Sequence, residues 1–530
     1  MGTKVYDNYA DLITFNRNSK GTALRPIGYG DELVTNGTFD TDSDWTLGTG
    51  WSISGGQLVA TSATGSAFQI VSLTGGKVYQ LSVENTANIQ IRIIGGTGQS
   101  IGYYSGVDAN RELFTFTAGA GSTLEIVANG TTTGFIDNVS VKEVLFDREG
   151  DPLTLFLHPE GVPRIEYDAD RNLKGLLIEP DGQNICLQSE DINTTWNPSV
   201  ATPTQSTEET PDGDKSNKYI KLVDDGSNHT GTGIVSIYQS INVSGGTKYT
   251  ASIFAKADGV SFVRLDANGA GVSGDPSPQA FFGLSGAGVL GAKSPGMDDS
   301  AIEAYPNGWY RCSITWTQGA GDTNFSFFIR LASSISSVFV DLDGTSSIFV
   351  WGAQVEAGPI ATSYMPTTIS PFTRGKDEAT MTNVSGLIGQ KEGTLYVEVD
   401  WRLATGISQC LLSANDGSDN NRLLIYKDSS NNLAMYAKAG GSFVASQGVS
   451  STGFSGIQKI AFAYKTDDFE LYRNGSSIAT ATGSLAALAT LTDIDLGQYY
   501  SDNFQANMHI RAVQIIPRRL SDEQLIELTS

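Results

Sequence analysis

At 530 residues the chain is too long for one ordinary domain and asks for about three or four. Sixty glycines and only 17% charged residues suit short strands and frequent turns better than long, salt-laced helices. A formal net charge of −23 argues against a nucleic-acid partner, which needs a basic footprint, and against adhesion to an anionic membrane.

The first residues, Met1-Gly2-Thr3-Lys4-Val5-Tyr6-Asp7, hold no apolar core of the kind a signal peptide needs. Tyr6 stands where a myristoylation signal requires Ser or Thr. No apolar run approaches the ~20 residues that span a bilayer, so no membrane insertion is expected. Three cysteines, Cys186, Cys312 and Cys410, are odd in number and widely separated, which speaks against a disulfide framework and for synthesis in a reducing cytoplasm.

Strand signals then dominate in chain order. Val78-Tyr79-Gln80-Leu81-Ser82-Val83, Ile89-Gln90-Ile91-Arg92-Ile93 and Leu113-Phe114-Thr115-Phe116 are short alternating or β-branched runs closed by turn residues. Gln69, Gly75-Gly76 and Tyr79 recur at the same spacing as Gln239, Gly245-Gly246 and Tyr249, with Ser82 and Ser252 three residues further on. A Gly-Gly turn reaches positive φ without steric cost, and each copy is read as a hairpin within one of two related sandwich modules. Thr394–Trp401 and Lys459–Tyr464, with Glu470-Leu471-Tyr472-Arg473-Asn474-Gly475 after them, are further strands. The best helix signal is the segment from Ser521 to Leu528, where Ser521 and Gln524 have capping-box spacing. The fold class predicted is all-β, several antiparallel jelly-roll-type sandwiches with one short C-terminal helix.

Several catalytic patterns fail on context. Gly98-Gln99-Ser100-Ile101-Gly102 matches a nucleophile elbow but runs into Tyr103-Tyr104-Ser105-Gly106 rather than a helix. The glycine patterns at 269–274 and 286–291 open no helix, so they read as loops. His158, His229 and His509 lie near no cysteine at zinc-ligand spacing. No local motif singles out a carboxylate pair for glycoside hydrolysis. No catalytic residue is therefore expected, and the chain is read as a non-enzyme.

Binding chemistry has better candidates. The seven tryptophans (45, 51, 196, 309, 316, 351 and 401) sit in strand patterns and are expected in cores. Paired tyrosines in polar stretches cannot both point inward; Tyr103 with Tyr104, and Tyr499 with Tyr500 beside Asp502 and Asn503, are the candidate carbohydrate-binding residues. Asp40-Thr41-Asp42-Ser43-Asp44 places three carboxylates at alternate positions, the composition of either a calcium loop or a solvated acidic turn. It is not an EF-hand, because Trp45 takes the place of the required glycine.

Residues Glu32-Leu33-Val34-Thr35-Asn36-Gly37-Thr38-Phe39-Asp40 and Phe135-Ile136-Asp137-Asn138-Val139-Ser140-Val141 resemble the two edges of carbohydrate-binding jelly-roll modules. That resemblance implies a structural calcium at Asp40 and Asp137. Leu187-Gln188-Ser189-Glu190-Asp191, Gly308-Trp309-Tyr310-Arg311-Cys312 and Trp351-Gly352-Ala353-Gln354-Val355-Glu356 resemble the jelly roll of phage structural proteins. The stretch from about residue 377 onward resembles a concanavalin A/laminin G sandwich. Ile13-Thr14-Phe15-Asn16-Arg17 and Pro163-Arg164-Ile165-Glu166-Tyr167-Asp168 resemble one continuous segment of bacteriophage fibre and spike proteins, interrupted here beyond Gly28 and Gly30.

The resemblances divide the chain into a split virion-anchoring segment (1–30 with 145–185), an inserted carbohydrate-binding-module-like sandwich (31–144), a second jelly roll (186–375) and a lectin-like sandwich (376–530). They imply a virion fibre or spike, on head or tail, trimeric, assembled in host cytoplasm and docked to other virion proteins. Its partner would be a host cell-surface glycan. A polysaccharide-degrading tailspike and a non-binding decoration protein are the alternatives.

Overall fold

Short runs closed by Gly, Asn and Asp become antiparallel strands stacked in paired sheets, and one helix, Asp522–Thr529, ends the chain. The computed structural model describes residues 13–94, 99–105, 111–119, 123–226, 231–275, 277–401, 407–451, 454, 456–500 and 504–530, with backbone alone at 94, 99–105, 111 and 112. The chain is all-β and multidomain, as its composition predicted. It divides into two compact units, one of Leu24–Val162 with Thr207–Asn217, the other of Pro163–Ser206 and Lys218–Ser530 with the described residues up to Ala23.

In the first unit, the long strand Thr132–Phe146 pairs with Val78–Asn85, Gln57–Ala63 and Gly21–Glu32. A second sheet orders Thr46–Leu47, Ser66–Ile70, Thr123–Ala128, Asn88–Ile94 and Gln99–Ser105. Alternate side chains from the two sheets, among them Leu58, Leu81, Ile91, Ile126 and Ile136, meet in one core.

The other unit holds two sandwiches. One stacks a sheet around Ser236–Asn242, Asn324–Ala332 and Phe262–Asn268 on a sheet around Ser347–Ala357, Lys248–Ala257 and Trp309–Thr317. The C-terminal sandwich recruits strands from far upstream. Thr14–Asn16 pairs Glu378–Met381 at one sheet edge, and Leu173–Ile178 pairs Met508–Ile516 in the other sheet. The helix begins with the expected capping box: Ser521 accepts from the Gln524 N–H and the Gln524 side chain accepts from the Ser521 N–H.

Buried charge joins the upstream segments to this sandwich. Arg17, Arg164, Arg374, Glu179 and Asp377 have no exposed side-chain surface. Asp377 accepts from Arg17 at 3.2 Å, from Arg164 and from the Glu179 N–H at 3.0 Å. Arg164 also contacts Glu179 at 2.8 Å, and Arg374 donates to the Pro180 carbonyl at 2.7 Å. Burial, and then repulsion from Arg164, pull the Arg17 pKa down to about 10.

The Gly-Gly repeat is structural, but its turns are not hairpins. Ser66–Ile70 and Val78–Asn85 lie in opposite sheets, as do Ser236–Asn242 and Lys248–Ala257. The second glycine of each turn, Gly76 or Gly246, has φ near +80° (81° and 75°), which lets the chain cross between layers. The two modules also share side-chain locks. Gln69 accepts from the Thr35 N–H and donates to the Thr35 carbonyl, both at 2.8 Å; Gln239 does the same to Leu187, at 2.8 and 2.9 Å. Tyr79 Oη accepts from the Thr74 N–H and Tyr249 Oη from the Ser244 N–H, each at 2.9 Å. Trp45 and Trp196 each donate from Nε1 to a carbonyl, of Asn36 and Gln188, whose φ is 51° in both.

Replacing Gln239 by Ala strands a buried N–H and carbonyl and is expected to cost about 1–3 kcal/mol. Gln69→Ala should cost a similar amount in its own module. Urea unfolding of each variant checks this, and a neutral result in either module would mean that water replaces the amide there.

Candidate functional site

All seven tryptophans are buried, none more than 8% exposed, so none offers a free stacking face. The strand period of two explains it: each sits on the core-facing set or caps a sandwich end. Tyr103 and Tyr104 belong to the strand Gln99–Ser105, paired with Gln90 and Ile89, rather than to a loop; their side chains are outside the described residues. Asp502 and Asn503 are outside the described residues. Ser100 lies inside the same strand, opposite Arg92, and the strand continues to Ser105, so the backbone there is not a strand-to-helix elbow.

Tyr499 and Tyr500 divide their roles. Tyr499 is buried against Cys410, Leu424 and Tyr436, while Tyr500 is 36% exposed. They mark one end of the outer face of the sheet containing Gln409–Asn415, Arg422–Lys427, Asn432–Ala439 and Ser442–Ser450. On these strands Leu423, Ile425, Leu433, Met435 and Ala437 point into the sandwich core. Period two therefore turns Arg422, Leu424 and Tyr426, and with them Tyr436 and Lys438, to the other face. Register sets Arg422 beside Lys438, and Lys438 beside Phe443. The turn into the last strand is Gly440-Gly441, with φ of 56° and 82°, values that a two-residue hairpin demands at both positions.

The result is an aromatic face with a charged centre. Phe443 is 70% exposed and meets Tyr436 edge-on at 5.1 Å, and Tyr426 meets Tyr436 edge-on at 5.9 Å. The Arg422 guanidinium lies over Tyr436 at 4.9 Å and over Tyr499 at 4.7 Å, and donates to Tyr436 Oη at 3.1 Å. Asp419 accepts from Lys438 at 2.5 Å and from Arg422. Those bonds, that of Lys438 foremost, hold the Asp419 carboxyl below its ordinary pKa, while burial pushes the Tyr426 hydroxyl up. Flat rings, fixed cations and a fixed carboxylate on one surface can stack on an apolar ring face and hydrogen-bond hydroxyls around it.

Sequence reasoning found the Tyr499-Tyr500 end of this face and missed Asp419, Arg422, Tyr426, Tyr436, Lys438 and Phe443. Arg422-Leu423-Leu424-Ile425-Tyr426 reads as an apolar run covered on both faces, and only the position of the core shows which side is open.

The two residues singled out for calcium, Asp40 and Asp137, lie close enough for their charges to interact, and each also makes a local hydrogen bond. Asp40 accepts from Thr38 Oγ1 at 2.7 Å and Asp137 from the Asn138 N–H at 2.7 Å. Partial burial, followed by the charges of Glu84 and Asp40, raises the Asp137 carboxyl, a shift that a cation would oppose. Among the described residues no group of three or more His, Cys, Asp or Glu side chains is placed to hold a metal ion.

Comparison with known proteins adds only distant likenesses, among them carbohydrate-binding modules and a laminin G pair. No family model matches the chain, and no curated protein does. Among solved structures, the CBM40 of Ruminococcus gnavus IT-sialidase is 17% identical, over 28% of this chain and 86% of that one, with a TM-score of 0.25. The tandem CBM22 modules of Paenibacillus barcinonensis Xyn10C are 11% identical over 63% of this chain and 99% of theirs, with a TM-score of 0.20. Mouse laminin α1 domains LG4-5 are 9% identical over 54% and 90%, with a TM-score of 0.19. At these identities and scores no function follows from the likeness.

Proposed function

We propose that the chain binds host-surface polysaccharide through the aromatic face of its C-terminal sandwich, as a bacteriophage fibre or spike that attaches the particle to its host. The observation that supports it is Phe443, exposed beside Tyr436 and flanked by Lys438, Arg422 and Asp419. A large exposed ring, bordered by groups whose charges are already paired, suits a hydroxylated ligand. The virion assignment draws on the resemblance of residues 13–17, 163–168 and 187–191 to phage structural proteins. Trimeric assembly and docking to other virion proteins belong to the same proposal, and copy number would multiply weak single-site contacts into avidity.

Binding of the purified chain to host cells and to their extracted polysaccharide, with product analysis on the same samples, tests this. Saturable binding without new reducing ends is the expected outcome. Phe443→Ala should weaken it about five- to thirtyfold, equivalent to the ~1–2 kcal/mol of one stacked ring, with no change in the melting transition. Release of new reducing ends would replace the adhesin by a depolymerase, and absence of binding would leave a structural virion component.

A further inference from the structure

A concavity of about 510 Å³ opens where the second and C-terminal sandwiches meet in their shared unit. Its volume suits a ligand of one or two rings. One wall is apolar, with Phe504 and Ile360; the polar lining includes Asp181, Glu356, Gln505 and Asn507 beside the neutral Thr362, Ser408 and Gln409, and no basic side chain is among the described lining residues. Two of these groups, the Gln505 and Asn507 amides, hold an acceptor oxygen without a donor. The Gln505 Nε2 donates to the Asp377 carbonyl at 2.8 Å, which can only accept, so the amide orientation is set and Oε1 is left without a partner. Asn507 is 5% exposed and its Oδ1 has no partner either. An unpaired buried acceptor is a standing cost that a ligand N–H removes. Glu356 is fully buried and accepts only from neutral groups, Gln354 Nε2 at 2.6 Å and the Thr362 N–H and Oγ1 at 2.9 and 2.7 Å.

We propose that this pocket binds a compact ligand bearing a primary ammonium group, its body against Phe504 and Ile360 and its N–H donors toward Asn507, Gln505 and the two carboxylates. An ammonium brings three donors, no acceptor and a positive charge, the complement of this lining. A hydroxyl brings one donor where an ammonium brings three, and an anion would meet Asp181 and Glu356. The pocket adjoins the Tyr499 end of the aromatic face, where Phe504 lies 5.1 Å from Tyr499, but it does not use Phe443 and does not depend on the glycan reading. Two sources share the chemistry, a hexosamine with a free amine and a simple alkyl amine.

Calorimetric titration of the full chain at pH 6.5 with glucosamine, N-acetylglucosamine and n-butylamine distinguishes them. Glucosamine should bind at least about tenfold tighter than N-acetylglucosamine. Comparable binding of n-butylamine assigns recognition to the ammonium alone, and its absence assigns the ligand to the amino sugars. Asp181→Asn, at an exposed position, should weaken amine binding about three- to tenfold, Asn507→Leu should remove it, and Phe443→Ala should leave it unchanged. Equal affinity for the two sugars, no saturable binding of any amine, or amine binding that survives Asp181→Asn with full strength overturns the proposal.

Discussion

Asp377→Ala lowers the unfolding transition of the C-terminal sandwich by an expected ~10 °C, the equivalent of about 3–5 kcal/mol. Asp377 is the carboxylate that Arg17 and Arg164 share, and it also receives the Glu179 N–H. Three arginines against two carboxylates already leave this buried cluster with an excess of positive charge. Removing one carboxylate leaves Glu179 alone among three guanidiniums, two of which lose a hydrogen-bond acceptor. The depressed pKa of Arg17, about 10, shows the same crowding from the other side. Asp377→Asn should recover part of the loss, because it keeps the acceptor and not the charge. Thermal melts of the two variants against the parent chain check both statements. A change under about 1 kcal/mol for the alanine variant would mean that water or an anion enters the cluster.

Trp316→Ala is expected to destabilise the second sandwich by about 3–5 kcal/mol and to leave polysaccharide binding intact. Trp316 is wholly buried, packs edge-on to Phe325 at 4.8 Å, and donates from Nε1 to Gln318 Oε1 at 3.0 Å. Its removal opens a cavity of tryptophan size and strands a buried amide oxygen, and close-packed strands on either side cannot collapse into that space. Chemical denaturation followed by fluorescence measures the first effect, and a binding assay below the transition measures the second. Lost binding at unchanged stability would make this ring a ligand platform and contradict its place in the core.

Those two residues differ in how visible they were. Trp316 lies in the alternating run Arg311-Cys312-Ser313-Ile314-Thr315-Trp316, whose period already assigns it to a core face. Asp377 follows a glycine and a lysine in a polar stretch, and nothing local marks it as buried. Its partners Arg17 and Arg164 lie 360 and 213 residues away, so the cluster exists only once strands from three parts of the chain are assembled. The aromatic face was half legible for the same reason: Tyr499-Tyr500 advertised itself by adjacency, whereas Tyr436 and Phe443 become neighbours through cross-strand register.

Sequence alone determined the properties that are set within a few residues. Alternation and β-branching made the chain all-β, Ser521 and Gln524 started its helix, and glycines marked where φ turns positive. Tertiary structure alone decided which sheet each strand joins and which of its faces stays open. The Gly-Gly segments cross between sheets where local pattern suggested hairpins, and Thr14–Asn16, Ile165–Tyr167 and Leu173–Ile178 complete a sandwich whose remaining strands all lie beyond residue 377. The reason is that a period of two says that a strand has two unlike faces, while the partner that covers one of them is chosen by non-local hydrogen bonding and burial, which no window of sequence contains.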